Sequence, residues 1–320
     1  MKFPFDTSEQ EIFDFERLLK ANDLSIQKGS DLERISIAVL EANAKYKKEI
    51  KHDNNTDIRI LFSDVAGIID FVKQILKHKS HPNFNQVIPH LHLLNTASTA
   101  TMTTKSKVTD AGNNKLMELY IALLCMSFAT NVRLDHPDNS KGDNPDIMFE
   151  FKNEKWAIAC KALHSAKVKT LYDTIEKGTE QINRSSVDKG IVIVNFKNII
   201  DREQIWPIIN QEQVDRNGEE PIFACFPNLD RPLEILSTYG SDFQEKLIET
   251  IELENLKNLS KSKKCPPGFL IFLQALTAVQ FNGQCPATIL KTFNFVQFDD
   301  IPNEYIEVGI NLNEAMHNRI

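Results

Sequence analysis

The chain has 320 residues, 42% of them hydrophobic, and a formal charge of −7. That length leaves room for one core domain of about 130 residues with flanking additions, and the acidic balance excludes a protein that coats nucleic acid through a uniformly basic surface. There is no apolar run long enough to span a bilayer, and Met1-Lys2-Phe3-Pro4-Phe5-Asp6 lacks the core and cleavage site of a secretory leader, so a soluble, cytoplasmic protein without membrane association is expected.

Residues 1 to about 95 read as helical. Ser8 with Glu11, and Ser30 with Glu33, have capping-box spacing. Behind them Ile12, Phe15 and Leu19, then Ile35, Val39 and Ala42, recur at helical intervals. Asp64 is expected to cap a third helix carrying Val65, Ile68, Ile69, Val72, Ile75 and Leu76. His78, His81, His90 and His92 have spacings that could serve zinc, but no cysteine joins them and Pro82 and Pro89 suggest a loop, so they read as scattered surface histidines. Thr96 to Gly112 is rich in threonine and serine and reads as a mobile connection or substrate-facing loop.

Residues 114 to 130 form a helix that is apolar nearly all round and therefore buried. Strands are expected at Val132–His136, Asp146–Phe151 and Lys155–Lys161, the last two joined by Lys152-Asn153-Glu154 as a hairpin. A helix at about Val168–Ser185 leads into Gly190–Phe196, a β-branched run typical of a strand buried on both faces. Beyond it, Pro221–Phe226 reads as a strand and Asp242–Ser260 as a charged amphipathic helix, while the strand-like alternation at Phe293, Phe295, Val296 and Phe298 has no evident place. The five cysteines are scattered without a Cys-x-x-Cys pair and read as reduced thiols.

The chemistry concentrates around residues 144 to 161. Side chains two apart on a strand share a face, so Ala157, Ala159 and Lys161 look one way and Trp156, Ile158 and Cys160 the other. Small residues beside a charge suit a face that borders a cavity. Asp146 shares a face with Met148 and Glu150, so Asp146 and Lys161 could point into one space across the hairpin. Glu118 is the sole charged residue between Lys115 and Arg133 on the apolar helix, and a buried carboxylate costs several kcal/mol unless it is paired or bound to a metal. Its bland alternative is a salt bridge to Arg133.

Residues 114 to 196, in the order helix, three strands, helix, strand, resemble the PD-(D/E)xK nuclease superfamily. Pro145-Asp146 would be its PD, and Ala159-Cys160-Lys161 stands where (Asp/Glu)-x-Lys belongs. The resemblance implies an α/β fold with a restriction-endonuclease-like αβββαβ core and mixed central sheet over 113–227, a helical N-terminal region with a Thr/Ser-rich connection over 1–112, and a mixed C-terminal extension over 228–320. It implies Mg²⁺ or Mn²⁺ held by Asp146, Glu118 and the backbone carbonyl of Cys160, with Lys161 serving the attacking water and Gln181 beside it. The implied substrate is nucleic acid, DNA first, with Lys167 and Lys169 as backbone contacts. Restriction, repair and anti-phage defence are the implied settings, defence first, and the large flanks suggest a regulatory protein partner or a homo-oligomer.

Ala159 departs from the motif. Alanine cannot ligate a metal through its side chain, so the chain as written is expected to be inactive. Three explanations stand: a deliberate replacement of glutamate, a naturally inactive relative kept for binding nucleic acid or protein, or a migrated acid, for which Glu150 is the stand-in. His164 follows closely and could lie near a phosphate. There is no phosphate-binding Gly-rich loop and no Gly-x-Ser-x-Gly.

Overall fold

The computed structural model describes residues 8–45, 57–99, 102, 111–139, 144–259 and 264–317. Helices α1 (Ser8–Ala21), α2 (Asp31–Lys45) and α3 (Ile58–His78) come first, followed by the short α4 (Ile88–Leu91), which two 3-10 turns flank, and by α5 (Ala111–Cys125). The expected capping at Ser30 forms: its Oγ accepts from the Glu33 amide at 3.1 Å, and Glu33 reaches back to the Gly29 amide at 2.6 Å. Most of the Thr/Ser-rich connection lies outside the described residues.

Asp64 is not a cap. The third helix starts at Ile58, and Asp57 caps it by accepting from the Arg59 amide at 3.0 Å. Asp64 instead lies within the helix, buried, with Arg34 3.2 Å away. The earlier start is hidden because a buried position of the first turn holds a cation. Arg59 is 2% exposed and is matched by Asp57 at 2.9 Å and Glu203 at 2.7 Å, so its burial leaves no apolar signature.

Strands β1 (Thr130–Leu134), β2 (Ile147–Phe151) and β3 (Glu154–Ala162) follow, then α6 (Val168–Arg184) and β4 (Lys189–Asn195). The β2–β3 turn is two residues, Lys152 and Asn153, both at positive φ (53° and 65°), the conformation that matches the twist of a tight hairpin. Helices α7 (Arg202–Ile205), α8 (Gln211–Asn217), α9 (Asp230–Thr250) and α10 (Leu253–Asn258) lead to β5 (Gly268–Ala278), β6 (Ala287–Gln297) and α11 (Asn303–Met316). Pro221–Phe226 forms only isolated bridges, and the helix expected at 242 starts twelve residues earlier, at Asp230.

The strands make one mixed sheet in the order β1-β2-β3-β4-β5-β6. The β3–β4 and β4–β5 pairs are parallel and the others antiparallel. The unplaced tail thus supplies two strands to the same sheet, and every residue of β5 is buried. Alternation divides the core into two layers. Trp156, Ile158, Cys160, Ile191 and Ile193 face α3, α5 and α11, whereas Ala157, Ala159, Val192 and Val194 face α6 and α9. Lys291 of β6, 2.6 Å from Asp70 of α3, ties the N-terminal helices to the sheet.

Cys225 and Cys285 are joined as a disulfide, which corrects the reading of five reduced thiols; Cys125, Cys160 and Cys265 are free and buried. The pair is 60 residues apart in sequence, and the bridge from Phe226 to Val279 brings the two ends together.

Close packing of α6 on the sheet depends on Gly190. A Cβ there would lie 2.5 Å from Ile182 Cγ2 and 2.9 Å from the Ala157 carbonyl oxygen. Gly190→Ala is expected to destabilise the fold by about 1–3 kcal/mol, read as a lower urea midpoint at unchanged slope; an unchanged midpoint would show that α6 yields freely.

Candidate functional site

Regular pairing of β2 with β3 reaches Ile147 opposite Ile158. Just beyond it, the Cys160 amide donates to Asp146 Oδ2 at 2.7 Å, so a carboxylate takes the place of a strand partner. Asp146 is 6% exposed. Lys161 Nζ lies 3.5 Å from the same oxygen and donates to Gln181 Oε1 at 2.6 Å. Gln181, on α6, donates in turn to the Asn144 carbonyl. From the opposite face α5 contributes Glu118, 5% exposed, with Lys115 Nζ 2.8 Å from its Oε2 and 3.9 Å from Asp146 Oδ1.

These side chains line a cleft of about 740 Å³, whose wall also carries Lys177, Glu180 and Arg184 of α6. Asp146, Lys161, Gln181, Glu118 and Cys160, singled out separately along the chain, therefore meet. In a strand a residue's N–H and C=O face the same neighbour, so the Cys160 carbonyl faces the edge where its amide meets Asp146. The Cys160 thiol points into the core layer, and burial followed by the charges of Asp146 and Glu118 pushes its pKa up, keeping it protonated.

Burial, reinforced by the charge of Asp146, raises the Glu118 carboxyl to about 8 against the partial offset of Lys115 and Lys161. Burial acts to lower Lys115, but Glu118 and Asp146 outweigh it and the ammonium is held more firmly. Two carboxylates crowded together out of water are the donor type that a hard divalent cation takes up, and Mg²⁺ sites commonly use one or two carboxylates with water and substrate phosphate. Among the described residues no group of three or more His, Cys, Asp or Glu is placed to hold a metal. The donor set thus fits a Mg²⁺-type ion at its minimum.

Several expectations are corrected. Ala159 does not border the cavity: it is fully buried with Ala157 and Val192 beneath α6, because Gly178 allows that helix to close over it. The strand face opens only at Lys161. Glu150 lies four residues along the strand from Asp146, roughly 13 Å, and accepts from Asn131 at 2.7 Å, so it cannot stand in for the missing acid. Lys167 and Lys169 keep the exposure that a backbone contact requires, at the start of α6, and are not on the cleft wall. Neither is His164, which is 2.9 Å from Asn198. His78 and His90 are buried rather than on the surface, and desolvation lowers both to about 4.

Lys115 is the residue that sequence reasoning passed over. Its signal was the three-residue spacing to Glu118, which puts both on one helical face, and it takes the partnership considered for Arg133.

The Glu118 shift has a definite sign. Its folded pKa, about 8, exceeds the ordinary 4.5, so its contribution to stability is complete below about pH 4.5 and is lost as pH rises through 8. In EDTA, Tm is expected to fall over that window, and less steeply in Glu118→Gln; parallel curves would contradict the assignment.

No protein-family model, no curated protein and no solved structure significantly matches this chain.

Proposed function

We propose that this chain carries the site of a metal-dependent nuclease of the PD-(D/E)xK type, with a restriction-endonuclease-like core, acting on the phosphodiesters of nucleic acid, DNA first, in a form silenced at Ala159. The observation that carries this reading is the meeting of Asp146, Lys161, Gln181 and Glu118 at one cleft from the order helix, three strands, helix. Ala159 precedes Lys161 by two residues on the same strand, the offset at which the motif places its second acid. Host defence is the setting we propose, since the acidic chain and its helical additions suit an effector held in check.

Asp146 and Glu118 would hold Mg²⁺ or Mn²⁺ with the Cys160 carbonyl; such an ion, when bound, neutralises charge on the phosphate and acidifies a bound water. The chain's own groups do the rest. Lys161, steadied by Gln181 at 2.6 Å, sets a cation beside the acid pair to orient the attacking water and stabilise developing negative charge. The Cys160 amide fixes one oxygen of Asp146 and so restricts how the carboxylate can turn. Lys177 supplies positive charge along the wall for a phosphate backbone, and Arg184 is paired there with Glu180 at 3.0 Å.

A second reading, a naturally inactive module that binds nucleic acid or a protein partner, is favoured by one observation. Ala159 fits its place: it is fully buried, and its Cβ lies 3.5 Å from where a Cβ on Gly178 would stand, so a longer side chain must lean toward Asp146 or displace α6.

The two separate on plasmid DNA with Mg²⁺, Mn²⁺ or EDTA. The nuclease reading expects no cutting by the unmodified chain, metal-dependent cutting by Ala159→Glu, and its loss when Lys161→Ala is added. It also expects Mn²⁺ to raise the Tm of Ala159→Glu. A destabilised Ala159→Glu variant that neither cuts nor responds to metal would sink the nuclease reading and leave the binding module.

A further inference from the structure

Lys115 stands where helix physics disfavours it. It lies in the second turn of α5 and precedes its partner Glu118, the weaker orientation for such a pair. Local preference therefore does not account for its position; the two carboxylates do. Its ammonium, 2.8 Å from Glu118 and 3.9 Å from Asp146, is the one positive group among the described residues within ion-pair distance of both acids. Its side chain is 18% exposed, and it lines the cleft, so a flexible four-carbon stem can swing outward without unfolding anything.

We infer that Lys115 is a tethered counter-cation, which neutralises the Glu118–Asp146 pair in the metal-free protein and must be displaced, or repelled, when a divalent ion binds there. The inference rests on the reading of those two acids as metal ligands. Its consequence is regulatory: an internal charge that competes for the same oxygens sets the metal concentration at which the site loads. Lys161 is not equivalent, because its ammonium is steadied by Gln181 and touches only the Asp146 side of the pair.

Titration of Mn²⁺ by calorimetry into the full chain, Lys115→Met, Lys115→Arg and Asp146→Asn tests this. Lys115→Met is expected to bind Mn²⁺ at least about tenfold more tightly than the unmodified chain, Lys115→Arg to bind like the unmodified chain because charge is kept, and Asp146→Asn to lose binding. A gain in Tm with Mn²⁺ should be larger for Lys115→Met than for the unmodified chain. If Lys115→Met does not fold, Lys115→Gln removes the charge while keeping a hydrogen-bond donor for Glu118. Equal affinity in the unmodified chain and the neutral variant, with binding still abolished by Asp146→Asn, overturns the counter-cation and leaves the metal reading intact. Tight binding by Lys115→Arg overturns it as well, since packing rather than charge would then be responsible. Absence of Mn²⁺ binding in every form overturns the counter-cation, while the nuclease reading stands or falls on the metal response of Ala159→Glu.

Discussion

A carboxylate taken out of water must be matched by donors or cations, and the organisation of this molecule around residue 146 follows from that requirement. Asp146 sits where β2 starts, so the strand ladder no longer satisfies the edge of β3, and its Oδ2 accepts the free Cys160 amide at 2.7 Å. One bond therefore closes the hairpin end and aims the acid. Lys161 and Lys115 approach from opposite sides, one from a strand and one from a helix. The site brings the two layers of the core together at one point.

The α6 side of that point depends on small residues. Ala157 and Ala159 on β3, with Gly178 on α6 and Gly190 on β4, let the helix lie close against the sheet. That approach brings Gln181 within 2.6 Å of the Lys161 ammonium and joins it to the Asn144 carbonyl. Ala159 thus has two aspects, the gap in an acidic motif and a filler of a tight apolar layer. Both follow from its place on β3, one side chain below the point at which the face opens.

On the other face the electrostatics are less settled. Glu118 of α5 is buried at the cleft, and it shares Lys115 with Asp146. Burial, and then the charge of Asp146, holds the proton of Glu118 to about pH 8. A cleft in which two buried acids meet displaceable ammonium groups can accept a divalent ion in their place, which is why the cleft rather than the other polar clusters carries the functional reading. Asp70 with Lys291, and Arg59 with Asp57 and Glu203, are by contrast internally matched and fasten the helical region to the sheet.

Much was legible in the chain alone. The alternation of Trp156 to Lys161, the continuous run into β4 and the turn at Lys152-Asn153 report local geometry, and local geometry depends on residues a few positions apart. Glu118 was visible as a charge on an apolar helix, and Gln181 and Lys161 by their spacing within the segment that resembles a nuclease core. Periodicity says that a face is buried; it does not say against what. Hence β5 and β6 could not be placed from their own residues, since their neighbour β4 is remote in sequence. The same limit hid Arg59, whose burial depends on a carboxylate 144 residues away, and the joining of Cys225 to Cys285. Local patterning was enough for the order helix, three strands, helix, strand from α5 to β4 and for the residue types available for chemistry. Only the tertiary structure decided that Ala159 lies under α6, that Glu150 is out of reach and that Lys115 is shared by two acids, because those facts depend on the approach of elements whose contacts leave no mark on local spacing.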